Sequence, residues 1–328
     1  RDAGFNHILL DVKPIYGKVL YRSDYLPYLD FIEGVTPEPL GRDWDYLQTF
    51  IDECHSRGMR LSASFSVMPC GSPYWQRGMC FLGQIPDSLL CVEYRPDKTF
   101  GDMRDTRKAA AFLNPAHPDV RETSMKMIME LVRRYDIDGF SLDYCRYPDA
   151  ESDFSDFSRR DFERYLGAEV ERWPEDVFSF DAEGGIVAGK HYRAWRSYRA
   201  AVISDFIGRV RDEIKSVRPD TEVVYWAASW IYGMYGTAQN WASPRHAMHK
   251  DPYTDVWCDG DYMRAGFADR IDAFMLGAYL ERIFGLDDHE SIEYSIERAK
   301  NLVKGDCRMY ATIYALNHEE NIEDAVYV

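Results

Sequence analysis

The run Asp138-Gly139-Phe140-Ser141-Leu142-Asp143-Tyr144-Cys145-Arg146-Tyr147-Pro148 ends a short apolar segment on a carboxylate. If residues 137–144 form a strand, alternation sends Phe140 and Leu142 to one side and Ser141 and Asp143 to the other. Phe and Leu suit a covering layer of helices, which leaves Asp143 facing inward at the strand's end. A carboxylate there is costly to bury and needs a reason. Glycoside hydrolysis supplies one, because an oxocarbenium-like transition state is stabilised by an anionic nucleophile or base. The competing reading is an ion pair with Arg146 that ties the rim together. Arg146 could equally orient Asp143 and keep it ionised.

A glycosidase needs a second carboxyl group, about 5 Å away for retention or roughly 6.5–9.5 Å for inversion. Glu281, after Tyr279-Leu280 at the end of a later strand, is the first candidate for the proton donor. Asp11, at the end of the first strand, is the second, with sugar-hydroxyl binding as its other role. Asp259 and Asp261 come third, and for each of these a solvated loop carboxylate is the plainer reading. Sugar rings have apolar faces that flat aromatic side chains match. Trp226, Trp230, Tyr232, Tyr235, Trp241, Tyr253 and Trp257 crowd one loop region, with Trp230 and Trp241 the best candidates for sugar contact. Several of these must also form the loop's own small core. Tyr279 is a further candidate for substrate contact. Asn114 and His117 stand just before a helix, where ligand binding competes with capping.

These residues need elements to hold them. Strands are expected at 5–12, 59–67, 137–144, 222–229, 271–280 and 307–315, by short apolar runs between turn residues. Helices are expected at 44–57 with Asp43 as N-cap, 118–135, 192–217, 262–268 and 290–303. Helix-to-strand turns span only a few residues, whereas the strand-to-helix segments 13–42, 68–117, 145–190 and 230–261 are long. One rim is trimmed and the other built up, as in a (β/α)8 barrel whose site lies at the C-terminal ends of its strands. A doubly wound sheet would share that asymmetry. Six strands fall short of eight, so the expectation is one TIM-type α/β barrel domain over 1–328, truncated at both ends.

Composition narrows the partners. The chain has 328 residues, of which 46% are hydrophobic and 29% charged, as expected of a folded protein. A net charge of −16 repels phosphate backbones, so nucleic-acid binding is not expected. Seven Cys (Cys54, Cys70, Cys80, Cys91, Cys145, Cys258 and Cys307) include no C-x-x-C pair, and only Cys70, Cys80 and Cys91 are near enough in sequence to suggest one bridge. His246 and His249 lack zinc-protease spacing, and Asp251, Asp255, Asp259 and Asp261 do not fit an EF-hand. No Gly-rich phosphate loop occurs, so no cofactor and no metal are expected.

Several segments together resemble a known family. These are Asp11-Val12-Lys13-Pro14, Tyr21-Arg22-Ser23-Asp24-Tyr25-Leu26-Pro27, Asn114-Pro115-Ala116-His117-Pro118, Asp138-Gly139 with Leu142-Asp143, Arg146-Tyr147-Pro148, and Asn240-Trp241-Ala242-Ser243. They resemble the family-10-like glycoside hydrolases of bacterial cell envelopes, over most of the chain. The resemblance implies a TIM barrel that hydrolyses polysaccharide or oligosaccharide, peptidoglycan in one branch, in the periplasm, at the cell surface or after secretion. Many members carry two consecutive Asp where this chain has Asp143-Tyr144, so no role passes to the second position. A carbohydrate-binding barrel without catalysis and a metal-dependent hydrolase are the competing functions.

Overall fold

The structure, a computed structural model, describes residues 4–29, 43–247, 258 and 260–327. Six parallel strands make the central sheet: β1 (His7–Lys13), β2 (Arg60–Ser66), β3 (Gly139–Asp143), β4 (Glu222–Ala228), β5 (Ala273–Gly277) and β6 (Arg308–Thr312). They pair in chain order with no reversal. Crossovers of one hand between successive neighbours put all covering helices on one face. The other face then curls around an interior, which makes this an α/β barrel sheet and removes the doubly wound alternative.

The covering helices are α1 (Tyr46–Ser56), α2 (Pro118–Arg134), α3 (Asp156–Leu166), α4 (Tyr192–Val217) and α5 (Ile292–Val303). Their ends follow from local chemistry. Asp45, not Asp43, caps α1 by accepting from Gln48 N at 3.1 Å. Pro118, with no N–H to leave unsatisfied, opens α2. Ser155 and Ser291 cap α3 and α5. The helix α3 falls in a segment expected as loop; only Ser158 and Phe162 are buried in it, and its charged face hides the period. The expected helix at 262–268 divides into Gly260–Arg264 and a 3-10 turn at Ala268–Arg270. The strand expected to run to 280 stops at Gly277, after which Ala278 N turns to Leu276 O and Thr312 O.

Outward positions of the strands (Leu10, Val12, Leu61, Ala63, Phe65, Phe140, Leu142, Val223, Tyr225, Phe274, Leu276) are buried under the helices. Apart from Leu9, the inward positions toward the C-terminal ends of the first three strands are small or polar: Asp11, Ser62, Ser64, Ser66, Gly139, Ser141 and Asp143. At the N-terminal end, carboxylates serve structure. Asp138 accepts from Leu61 N (2.8 Å) and His55 Nε2 (2.9 Å), and Asp272 accepts from Val223 N (2.8 Å) and pairs with Lys215 (2.6 Å). Glu222 is buried between Arg60 (2.9 Å), Arg308 (2.7 Å) and the Tyr310 hydroxyl (3.0 Å), tying β2, β4 and β6 across the interior.

Replacing Glu222 by Ala removes a buried three-way partner while leaving two arginines that still reach water. The loss expected is therefore about 1–3 kcal/mol, below that of a fully buried broken pair. Urea unfolding should show a lower midpoint at unchanged slope. An unchanged midpoint would mean that the triad contributes nothing to stability.

Candidate active site

Strand register decides which carboxylates meet. Leu9 pairs with Ser62 and Asp11 with Ser64, while Ser64 pairs with Ser141 and Ser66 with Asp143. Asp11 and Asp143 therefore share the inward parity, on strands separated only by β2. The irregularity between Asp11 and Lys13, two residues of β1 against one of β2, ends regular pairing just above Asp11.

Asp143 is half-buried on the cleft floor, with protein crowding most of its sides. Burial pushes its carboxyl up to about 7, and the negative charge of Asp11 adds to the effect. Two interactions oppose the rise: the Tyr144 N–H donates to Oδ1 at 2.7 Å, and the Arg146 charge acts at longer range. Tyr144 reaches that position with φ of 47°, in the left-handed region where a Tyr is strained. Asp11 keeps one face open to the cleft, yet enclosure of its other sides raises it to about 6, tempered by the charge and backbone N–H of Lys13. Tyr279 also feels Asp143: burial and then that charge raise its hydroxyl. Its ring lies 5.6 Å from Trp226 and 6.1 Å from Tyr314. Gly277 makes room for Trp226, since a Cβ there would fall 2.5 Å from the indole.

Two cations stand near these acids without pairing with them. Arg146 lies between the rings of Tyr144 (4.8 Å) and Phe112 (5.2 Å), and its Nη1 donates to the carbonyls of Tyr147 (2.9 Å) and Pro148 (3.0 Å). It forms no ion pair with Asp143, because its Nη1 is directed to backbone oxygens and its charge acts on that carboxyl only at longer range. Lys13 is buried, donates to Ser66 O (2.5 Å) and Pro69 O (3.1 Å), and has its ammonium pushed down to about 8 by burial. Its burial is not readable from local sequence, since a Lys beside a Pro reads as surface.

Beside this floor a cavity of about 640 Å³ is lined by Trp230, Tyr232, Tyr279, Glu281, Arg282 and His289, among others. Trp230 is 55% and Tyr232 73% exposed on its wall. Glu281 is exposed on the cavity wall. A second opening, of about 850 Å³, lies at the N-terminal end, where Arg60, Arg218 and Lys215 are already paired with Glu222, Asp136 and Asp272.

Three expected contacts are corrected. Trp241 is fully buried and stacks on the outward Phe274 at 4.4 Å, within the helix layer rather than the cleft. Asn114 is fully buried, donating to Asp153 (2.6 Å) and Ser158 (3.0 Å) and accepting from Ala116 N (2.9 Å), so it anchors the segment after β3 to the start of α2. His117 caps α2 through Asp119 N at 3.3 Å and packs on Phe157 at 4.5 Å. Asp261 forms an ion pair with Arg264 on the short helix. Asp251, Tyr253, Asp255, Trp257, Asp259 and His249 lie outside the described residues. Among the described residues, no group of three or more His, Cys, Asp or Glu is arranged to hold a metal ion. No helix among them is long and apolar enough to cross a membrane.

An α/β barrel with paired, hard-to-ionise carboxyls and exposed aromatic rings at its C-terminal mouth has the architecture of a barrel glycoside hydrolase. Residues 1–255 match the model of the glycosyl hydrolase-like 10 family, and the chain belongs to that family. It is 29% identical over 339 aligned positions to an S-layer-related protein of Niallia circulans, covering 98% of this chain and 20% of that one. It is 27% identical to glycosyl hydrolase DigH of Escherichia coli K12 over 225 positions, covering 68% of this chain and 44% of DigH. The chain thus spans less than half the length of either relative. The PgaB (BpsB) glycoside hydrolase domain of Bordetella bronchiseptica has the same fold, with TM-score 0.52 and 15% identity over 98% of this chain and 87% of that one. The beta-galactosidase of Marinomonas ef1 gives 0.51 and 12% over 84% and 41%.

Because folding raises the Asp143 pKa, its favourable contribution to stability is complete at low pH and is lost as pH rises through about 7. Asp143→Asn removes that penalty. The melting temperature of the variant, relative to the parent, should therefore climb between about pH 4 and pH 7 and then level off. A difference independent of pH would show that Asp143 is not perturbed.

Proposed function

We propose that this chain hydrolyses glycosidic bonds in a polysaccharide or oligosaccharide, with Asp143 as proton donor and Asp11 as its ionised partner. The observation that carries the proposal is the register that puts Asp143 and Asp11 on the inward face at the C-terminal end of the sheet, where burial raises the Asp143 carboxyl to about 7. A group with a pKa near the working pH gives up a proton readily and regains it. Asp11, raised less, loses its proton first, and its charge then holds the proton on Asp143. Protonation of the bridging oxygen by Asp143 builds positive charge at the anomeric carbon. Asp11 can stabilise that charge directly or activate a water, and the spacing of the carboxyls sets which.

This reverses the roles expected from sequence, in which Asp143 was nucleophile or base and Glu281 the acid. Burial makes Asp143 the harder group to ionise, whereas Glu281 stands in the open cavity, where it suits a sugar hydroxyl. Trp230 and Tyr279 offer flat surfaces to sugar rings, and Arg146 the donors its carbonyls leave free. The same proposal treats residues 1–328 as one barrel domain and places the protein in the periplasm, at the cell surface or outside the cell. Tyr144, where many relatives have a second Asp, favours the competing reading of carbohydrate binding without cleavage.

Against a panel of polysaccharides and peptidoglycan glycan strands, Asp143→Asn and Asp11→Asn should each lower kcat/KM about 10²–10⁴-fold with binding retained. Undiminished turnover in Asp143→Asn removes the assignment, and binding with no turnover in the parent favours the second reading. The pH profile of kcat/KM should be a narrow bell. Its acid limb, near 6, is protonation of Asp11, and its alkaline limb, near 7, is deprotonation of Asp143. Trp230→Ala should raise KM about tenfold with kcat nearly unchanged, the mark of lost uniform binding.

A further inference from the structure

The segment that leaves β2 makes a tight hairpin. Pro69–Gly71 pairs antiparallel with Ala111–Phe112, Ser72 and Arg77 bridge each other (2.7 and 3.3 Å), and a 3-10 turn at Met79–Phe81 closes the base. The pairing is irregular between Pro69 and Gly71, so Cys70 sits at a bulge. Its thiol donates to Ala111 O at 3.6 Å, and the neighbouring Cys80 thiol pushes its pKa well above the ordinary thiol value. Both sulfurs are buried, with Cys70 2% and Cys80 0% exposed. Two glycines allow this approach. A Cβ on Gly71 would fall 2.4 Å from Cys80 Sγ, and one on Gly78 would fall 2.4 Å from Gly71 Cα. The backbones are thus packed as closely as they can be, with one thiol on each.

We propose that Cys70 and Cys80 form a disulfide that staples the base of this hairpin. The neighbouring Cys70 thiol, and then the charge of Arg104, lower the Cys80 thiol, which makes Cys80 the attacking thiolate. It attacks one sulfur of a small-molecule disulfide such as oxidised glutathione and expels one glutathione thiolate. Cys70 gives up its proton and attacks the Cys80 sulfur, expelling the second. Two protein thiols lose two electrons and two protons, and one glutathione disulfide becomes two thiols. Because both sulfurs are buried, the exchange takes place while the hairpin is open or before it packs. The staple holds Tyr74 (69% exposed) and Trp75 (44%), whose rings meet edge to face at 4.7 Å, at the tip of the loop.

Alkylation after denaturation counts the thiols. The reduced chain carries seven Cys. After incubation with oxidised glutathione, five should be alkylated and two protected. Trypsin cuts after Arg77, between the partners, so the linked peptides should separate only on reduction. Cys91→Ala should keep the link and Cys80→Ala should abolish it. The oxidised parent should melt several degrees above the reduced parent, and Cys80→Ala should show no such difference. Seven alkylated thiols, or a link that survives Cys80→Ala and vanishes in Cys91→Ala, overturns the proposal.

Discussion

Taking a carboxyl group out of water at the open end of a parallel sheet is the constraint on which this molecule turns. Asp143 ends a strand whose outward residues, Phe140 and Leu142, are fully buried, so alternation leaves its side chain only the interior to face. The penalty for ionising it there is set by enclosure and by a second acid, Asp11, two strands away. At the opposite end of the same sheet, Asp138, Asp272 and Glu222 are also enclosed, but each accepts hydrogen bonds from N–H groups, a phenol or cations. One end of the barrel pairs its acids with cations, a phenol or several N–H groups, whereas at the other end a single backbone N–H and a more distant charge oppose the burial of each acid. That contrast, more than the mere presence of carboxylates, sets the C-terminal rim apart from the rest of the sheet.

The contrast is maintained by where the nearby cations are tethered. An arginine released onto Asp143 would pull its pKa down and yield an ordinary rim ion pair. Arg146 is instead held between two aromatic rings and bonded to carbonyls of its own turn. Lys13 is close enough to temper Asp11, yet its ammonium is bonded to the carbonyls of Ser66 and Pro69 at the end of β2. Backbone oxygens thus occupy the cations, and the carboxyls keep their raised values. Fold and electrostatics are coupled here, since the same carbonyls end the strand and hold the charge.

Much of the sheet was legible because a buried strand leaves a short apolar run whatever surrounds it. The inward parity of Asp143 followed from Phe140 and Leu142 alone. Asp11 was only the second candidate for its partner, after Glu281, because the choice depends on register across β2, which no local pattern encodes. The aromatic residues misled in a specific way. Trp230 and Trp241 have the same type in the same loop region, yet the burial of Trp241 is decided by Phe274, far along the chain. Asn114 and His117 looked like ligands since polar residues at a helix start serve capping and recognition with the same atoms. Lys13 and α3 were missed for the converse reason: a buried Lys and a charged helix each imitate surface.

The strain at Tyr144 bears on the choice between cleavage and mere binding. A Tyr with φ of 47° persists only where its surroundings over-determine it. What the conformation achieves is to aim one N–H at Oδ1 of Asp143, so that one of the two carboxyl oxygens is held by the backbone. A site that only bound sugar hydroxyls would be served equally by a freely ionised carboxylate, paired with Arg146 and unstrained. Orienting one oxygen while keeping the group near neutrality benefits a proton transfer, where direction and pKa both enter the rate. The strained turn and the unpaired arginine therefore support catalysis from two independent sides.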